Sequence, residues 1–105
     1  MVTIKNIYDE LGWEPADGYP KGTRIKTLRD ENGAQTVLLK LPKGFYMEPH
    51  SHLFNEQHLI LEGEYESEGE TYSSGAFRII HAGKNHGPFS SKNGATVLVI
   101  WDPVK

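Results

Sequence analysis

Closely spaced turn signals constrain this sequence most, because they leave no room for a long helix. Glycine, proline, asparagine and aspartate gather in short clusters, of which Asn32-Gly33 is the strongest hairpin signal. From Thr23 onward the clusters recur roughly every 8–12 residues, a spacing typical of antiparallel β-sandwiches and barrels. We therefore predict an all-β protein built from short antiparallel strands. The main clusters occupy residues 30–33, 42–44, 68–70, 82–85 and 91–94.

The segments between these turns are the predicted strands. Residues 23–28 and 35–41 should pair as a hairpin around Asn32-Gly33, and we expect Gly63 to lie in a second turn. Residues 1–22 are less regular, and we predict an N-terminal arm there, followed by one domain over residues 23–105. The arm has the pattern of a short helix from Thr3 to Leu11, and Trp13 is expected over a barrel end or on a partner subunit. The other predicted strands are residues 45–52, 57–62, 65–67, 76–80 and 95–101.

Composition excludes several classes of function. The chain has 105 residues, a formal net charge of −3 and no cysteine. The charge argues against nucleic-acid and anionic-membrane partners, and the missing cysteine excludes disulfides and thiolate ligands. The first residues lack the apolar core of a signal peptide, and the longest apolar run, residues 97–101, is too short to span a bilayer. We therefore expect a cytoplasmic protein with no membrane partner.

Metal-binding side chains are concentrated in one short stretch. On a strand, His50 and His52 would point to the same face, roughly 6–7 Å apart, so that both imidazoles can approach one ion. Glu56 follows four residues later and can supply a carboxylate. Two histidines and one carboxylate with open positions suit Fe(II), and also Mn, Ni or Zn.

The spacing in this stretch matches a known motif. From Gly44 to Gly63 the sequence reads G-x5-H-x-H-x3-E-x6-G, which resembles the first motif of the cupin superfamily at every specified position. From Gly75 to His86 it follows the second motif, G-x5-P-x-G-x2-H, except that His81 replaces the proline. The asparagine that usually follows is replaced by Ser90. Both departures fall on residues that shape turns, so they leave the ligand positions intact.

The resemblance implies a fold and a ligand set. It implies a cupin-type jelly-roll β-barrel of two antiparallel sheets around one divalent transition metal, which could be Fe, Mn, Ni or Zn. The ligands that it implies are His50, His52, Glu56 and His86. Within the superfamily, the chain is similar to small single-domain cupins, and to the cupin-like domains of anti-sigma factors and of diketone-cleaving dioxygenases.

Several neighbouring residues have open roles. His58 should share the interior face of Glu56 and is the candidate catalytic residue, as a proton-transfer group, a donor to Glu56 or a fifth ligand. A plain interior histidine is the alternative. Arg78 would hold an anionic substrate if it faces inward, and His81 is expected near the barrel rim. Tyr46 and Glu48 are expected to line the cavity if their strand continues without a bulge to His50.

Two classes of function fit these residues. The first is a metal-dependent enzyme, dioxygenase-like or isomerase-like, acting on a small oxygen-chelating molecule. The second is a non-catalytic module that binds a small molecule or senses a metal; a purely structural barrel is a third option. Fold alone does not decide between them. We also expect a homodimer that buries the N-terminal arm, because so small a sandwich exposes an edge strand and an apolar sheet face.

Overall fold

The computed structural model describes residues 6–49, 54–85 and 87–103, which contain nine β-strands and no helix. Accordingly, these residues include no helix that could span a membrane. The all-β prediction is confirmed, whereas the short helix considered for the arm is not seen over residues 6–11, which form turns. The strands are β1 (Glu14–Pro15), β2 (Arg24–Glu31), β3 (Ala34–Leu41), β4 (Phe45–Met47), β5 (Phe54–Ser67), β6 (Glu70–Ser73), β7 (Phe77–Ile80), β8 (Phe89–Ser91) and β9 (Ala95–Pro103).

The strands form a curled antiparallel sheet that folds back on itself around the core. Its order is β1-β2-β3-β9-β5-β8-β4, with β6 and β7 also paired to β5. Strand β5 has 14 residues and belongs to both walls of the jelly roll. Its first half pairs with β7 and β9, and its second half pairs with β6 and β8.

The β2–β3 hairpin forms where Asn32-Gly33 predicts it. Both residues have positive φ, 51° at Asn32 and 86° at Gly33, as a two-residue hairpin turn of this hand requires. Beyond the turn, alternate residues of β3 and β9 point into the core, where they are almost fully buried. These inward residues are Val37, Leu39, Leu41, Ala95, Val97 and Val99.

Gly63 does not lie in a turn, contrary to the sequence prediction. Strand β5 passes through this position and ends at Ser67, and the chain reverses only at Glu68-Gly69. The pairing of β5 with β9 shifts register between Ile60 and Glu62, which is a β-bulge, and Gly63 follows with φ of 72°. A bulge bends a strand and changes which side chains face inward. The bend lets β5 continue from one wall of the jelly roll into the other.

A second row of side chains, apolar except for Lys26 at one end, crosses the outer face of the β2-β3-β9-β5-β7 part of the sheet. Its members are neighbours in register, and the N-terminal segment lies over its β2 end, where the Lys26 ammonium donates to the backbone carbonyls of Asn6 and Asp9. Leu38 is fully buried there although it faces away from the core. At the β7 end, Phe77 remains 55% exposed. In order across the sheet, the row is Lys26, Leu38, Leu98, Leu59 and Phe77.

The predicted N-terminal arm is in close contact with the sheet. Strand β1 pairs with β2, Ala16 joins the core, and the Trp13 ring lies between the Arg24 and Lys40 side chains, 5.6 and 5.5 Å from the two cations. The separation of an arm, residues 1–22, from a domain, residues 23–105, therefore stays a prediction.

Candidate functional site

The interior face of β5 brings Glu56 and His58 together. They lie two residues apart on one strand, so their side chains share a face, and both are buried, at 4% and 6% exposure. The His58 ring is hydrogen-bonded at both nitrogens: Nε2 lies 3.0 Å from Glu56 Oε1 and Nδ1 lies 2.6 Å from the Tyr65 hydroxyl. The expectation that His58 faces the interior beside Glu56 is confirmed.

These polar groups open onto a cavity whose other walls are apolar. The enclosed part of the cavity has a volume of about 30 Å³, and it continues into a cleft that is open to solvent. Its polar lining consists of Glu56, His58, Tyr65 and Tyr19. A few converging polar groups in an otherwise apolar cleft are typical of small-molecule sites. The apolar walls are formed by Leu39, Leu41, Phe45, Met47, Phe89, Val97 and Val99.

The two tyrosines of the cavity are held in their neutral form. Burial, aided by the nearby Glu56 charge, raises the pKa of Tyr19 well above its ordinary value. Burial also raises the pKa of Tyr65 to about 12, although the charge of the Arg78 guanidinium lowers it. Both side chains therefore carry a hydroxyl proton at neutral pH.

The two motif segments approach each other at the ends of strands β4 and β8. Strands β4 and β8 pair with Met47 opposite Phe89, so the segment that leaves β4 and the one that enters β8 start from adjacent positions. A Cβ placed on Gly87 would lie 3.1 Å from the Pro49 Cα, so the residues next to His50 and His86 in sequence are in contact. The loop after β7 is tied to β5 by a 2.9 Å hydrogen bond from the Ala82 amide to the Asn55 side chain.

Of the four predicted metal ligands, only Glu56 lies among the described residues. His50, His52 and His86 fall outside them, and the described part of the chain contains no group of three or more metal-binding side chains. The Glu56 environment nevertheless fits a ligand. Its carboxylate is buried in a largely apolar cavity, where an ionised group requires close polar partners or a cation, and a histidine orients it in the way that outer residues orient metal ligands.

Strand β4 corrects one expectation about the cavity lining. Phe45 and Met47 face the cavity, whereas Tyr46 is 50% exposed and Glu48 is also exposed. The prediction continued one alternating pattern from Tyr46 to His50. That continuation fails because β4 ends at Met47, two residues before Pro49, so the phase of the strand does not extend to the histidine.

Arg78 and His81 occupy different environments. Arg78 lies opposite His58 in the β5–β7 pair, and its guanidinium is 4.5 Å from the Tyr72 ring centre. Its side chain is 12% exposed, and the nearest carboxylate oxygen is that of Glu68, at 3.9 Å. Arg78 meets the condition of facing inward, but among the described residues it contacts aromatic rings and does not line the cavity. His81 is exposed, in the loop that follows β7.

Sequence reasoning missed Tyr19 and Tyr65 as site residues. For Tyr65 a signal existed, because the glutamates Glu64, Glu66 and Glu68 alternate with Tyr65 and Ser67, which predicts that these two residues lie inside, as they do. For Tyr19 there was none. It belongs to the irregular segment between β1 and β2 and reaches the cavity only through the tertiary fold.

Comparison with protein families gives one match over nearly the whole chain. A family model described as ChrR Cupin-like domain matches residues 4–105. Comparison with curated proteins gave no significant match.

Solved structures with a similar fold include a chain of the Rhodobacter sphaeroides SigE complex with the anti-sigma ChrR. The TM-score is 0.76 at 24% identity, over 90% of this chain and 51% of the other. An acetylacetone dioxygenase from Acinetobacter johnsonii gives a TM-score of 0.79 at 14% identity, over 96% and 74% of the two chains. An RmlC-like cupin protein from Ralstonia eutropha gives 0.74 at 19% identity, over 87% and 62%.

These likenesses establish the fold. The chain spans about half of the chain that it matches in the SigE–ChrR structure and 62% of the Ralstonia eutropha protein. The predicted cupin jelly roll is thereby confirmed.

Proposed function

This chain belongs to the ChrR cupin-like domain family, and we propose that it binds one divalent transition metal and acts as a metal-dependent enzyme on a small oxygen-chelating molecule. The proposed ligands are His50, His52, Glu56 and His86. His58 is the proposed proton-transfer residue. We further propose a cytoplasmic location, on the grounds of the cysteine-free composition.

The observation that supports this proposal best is the buried Glu56 carboxylate beside the two converging motif segments. Gly87 and Pro49, the neighbours of His86 and His50, are in contact, and Asn55 ties the loop after β7 to the start of β5. Met47 and Phe89, which lie two residues from Pro49 and Gly87 in sequence, line the same cavity as Glu56, and this supports the proposal that the ligands converge there. Histidine and carboxylate donors without thiolate suit Fe, Mn, Ni or Zn.

The metal, the apolar walls and His58 would each have a separate role in the proposed reaction. A bound divalent metal would supply Lewis-acid or oxygen-activating chemistry. The apolar walls would exclude bulk water and hold the carbon skeleton of a small substrate. Because both nitrogens of His58 are engaged, a proton would leave or reach its ring along the hydrogen bonds to Glu56 and Tyr65.

Metal content under anaerobic purification tests the ligand assignment. We expect about one metal ion per chain in the wild-type protein and a loss of most of it in Glu56→Ala and in His52→Ala, with a retained β-rich circular dichroism spectrum. Glu66→Ala is the matched control, because Glu66 is an exposed glutamate on the same strand. Full metal occupancy in Glu56→Ala and His52→Ala would contradict the assignment.

The second candidate function is a non-catalytic module that senses a metal or binds a small molecule. The family match favours it, since the family is described by ChrR and a similar structure comes from a complex of the anti-sigma ChrR with SigE. Acetylacetone discriminates between the two, because it is a small oxygen chelator that requires open metal positions. Redox-active iron that binds acetylacetone, and consumes it with dioxygen, supports the enzyme. Tightly held zinc that does not bind acetylacetone supports the module.

We also propose that the protein forms a homodimer. Phe77 and Ile79 on β7 are 55% and 52% exposed, and they extend the outer apolar row beyond the part covered by the N-terminal segment. A second copy packed against this face would remove them from water, and two-fold dimers are the commonest oligomers.

A further inference from the structure

We propose that Tyr65, packed against Arg78, is a positioning residue that fixes the orientation of the His58 ring and through it that of the Glu56 carboxylate. The inference rests on the proposed function, because it assigns Glu56 its role as a metal ligand. It adds two residues, from the second half of β5 and from β7, to the support of the site.

The direction of the first hydrogen bond follows from the chemistry of a carboxylate. An ionised Glu56 can only accept, so the proton in the 3.0 Å contact belongs to His58 Nε2. In a neutral imidazole that carries its proton on Nε2, Nδ1 has none and can only accept. Whatever meets Nδ1 must therefore be a donor.

Tyr65 meets this requirement. Its hydroxyl lies 2.6 Å from His58 Nδ1, and its raised pKa of about 12 keeps the hydroxyl proton available at neutral pH. The two rings are nearly perpendicular, at 83°, so the hydroxyl approaches the imidazole edge. Tyr65 is 2% exposed, so bulk water is kept from its hydroxyl, which anchors the outer side of the ring.

Arg78 completes the support at the other end. The Arg78 guanidinium carbon lies 6.0 Å from the centre of the Tyr65 ring, so the arginine packs against the tyrosine, and its charge lowers the pKa of Tyr65. The guanidinium is fixed in place by the rings of Tyr72 and Phe89, at 4.5 and 5.7 Å. The donors thus point one way, from Tyr65 to His58 to Glu56, and Arg78 packs against the first of them.

Tyr65→Phe tests the inference in the metal-free protein. Nitrogen-15 NMR of the wild-type protein should show a slowly exchanging His58 Nε2–H. In Tyr65→Phe the ring loses its anchor, and we expect this proton to exchange at least about tenfold faster. Tyr72→Phe is the matched control, since Tyr72 packs on the same arginine and on the Tyr65 ring, 5.4 Å away. Ile60→Val lowers stability by a core change alone and controls for opening by unfolding.

Metal affinity is the second readout. We expect Tyr65→Phe to raise the dissociation constant for added Zn²⁺ about tenfold. Tyr72→Phe and Ile60→Val should bind Zn²⁺ with nearly the wild-type dissociation constant. Arg78→Met should raise the Nε2–H exchange rate and the Zn²⁺ dissociation constant, as Tyr65→Phe does. Wild-type values in this variant would show that Arg78 does not support Tyr65.

The outcomes separate this inference from the proposed function. An unchanged exchange rate of the His58 Nε2 proton in Tyr65→Phe overturns the inference. If the wild-type protein binds Zn²⁺, an unchanged Zn²⁺ affinity in this variant overturns it as well. A wild-type protein that binds no metal defeats the proposed function, and the NMR comparison then decides alone whether Tyr65 positions His58.

Discussion

Two tyrosine hydroxyls lie close enough to Glu56 for its charge to raise their pKa values. Tyr65 reaches the interior from the second half of β5, and Tyr19 reaches it from the segment before β2. With His58, they are the groups of the cavity lining that can donate hydrogen bonds. At the scale of single residues, the cavity is therefore an apolar space with one polar corner.

The raised tyrosine pKa values predict a loss of stability at alkaline pH. Below pH 10, the ordinary tyrosine value, the folded and unfolded chains both keep these protons. Between pH 10 and about 12 the unfolded chain releases them while folded Tyr65 holds its own, so the free energy of unfolding falls as pH rises. The slope is about 1.4 kcal/mol per pH unit for each such tyrosine.

Tyr65→Phe should remove about one tyrosine's share of that slope, measured by urea unfolding from pH 9 to pH 11.5. Tyr46→Phe, which removes a half-exposed hydroxyl, is the control and should keep the wild-type slope. An identical pH dependence for Tyr65→Phe and the wild-type protein would show that this hydroxyl does not contribute to it.

At the scale of the elements, β5 organises the molecule. Its first half presents Glu56 and His58, its bulge changes the inward phase after Ile60, and its second half presents Tyr65 and Ser67. Without the bulge, uninterrupted alternation from His58 would turn Tyr65 outward, since the two are an odd number of residues apart. The hydrogen bond between them therefore depends on the irregularity beside Gly63.

Gly63→Ala should destabilise the fold severely. A Cβ there would lie 2.2 Å from the Gly94 carbonyl oxygen and 2.9 Å from the Ala95 Cα, at a positive φ of 72°. Gly44→Ala is the matched control, because its φ is 75° but nothing lies within 4 Å of the added atom. We expect a loss of about 1–2 kcal/mol for Gly44→Ala and about 3 kcal/mol or more for Gly63→Ala, measured by chemical denaturation. Equal losses would mean that the contact with Gly94 is easily relieved.

At the scale of the whole molecule, the sequence predicts the architecture better than the details of the site. Turn spacing predicted an antiparallel all-β fold, and the two motifs identified the jelly roll. The sequence could not predict which residues of a strand as short as β4 face inward. Whether Tyr46 or Met47 faces the cavity is decided by the pairing of β4 with β8. The place of Tyr19 also depends on contacts between distant parts of the chain, which local patterns do not encode.

The outer apolar row leads to a prediction about assembly. We expect a dimer by light scattering, and we expect the double variant Phe77→Ser/Ile79→Ser to weaken it while preserving the β-rich fold, because both side chains are exposed. Tyr46→Ser removes an exposed aromatic residue from a different strand and should leave the dimer intact. A variant that dimerises as tightly as the wild-type protein would place the interface elsewhere.

The N-terminal segment is a second candidate part of the dimer interface. A dimer that buries this segment should weaken when the segment is removed, but Lys26 and Trp13 also tie the segment to its own sheet. Deletion of residues 1–20 should therefore also uncover the β2 end of the row. An unchanged dimer after this deletion would exclude the segment from the interface.

Anomalous diffraction at several transition-metal edges tests the central claim most directly. The account predicts one peak, about 2.0–2.2 Å from a nitrogen of each of His50, His52 and His86 and from a carboxylate oxygen of Glu56. A structure in which His86 lies away from the other three residues, with no ion joining them, would contradict it.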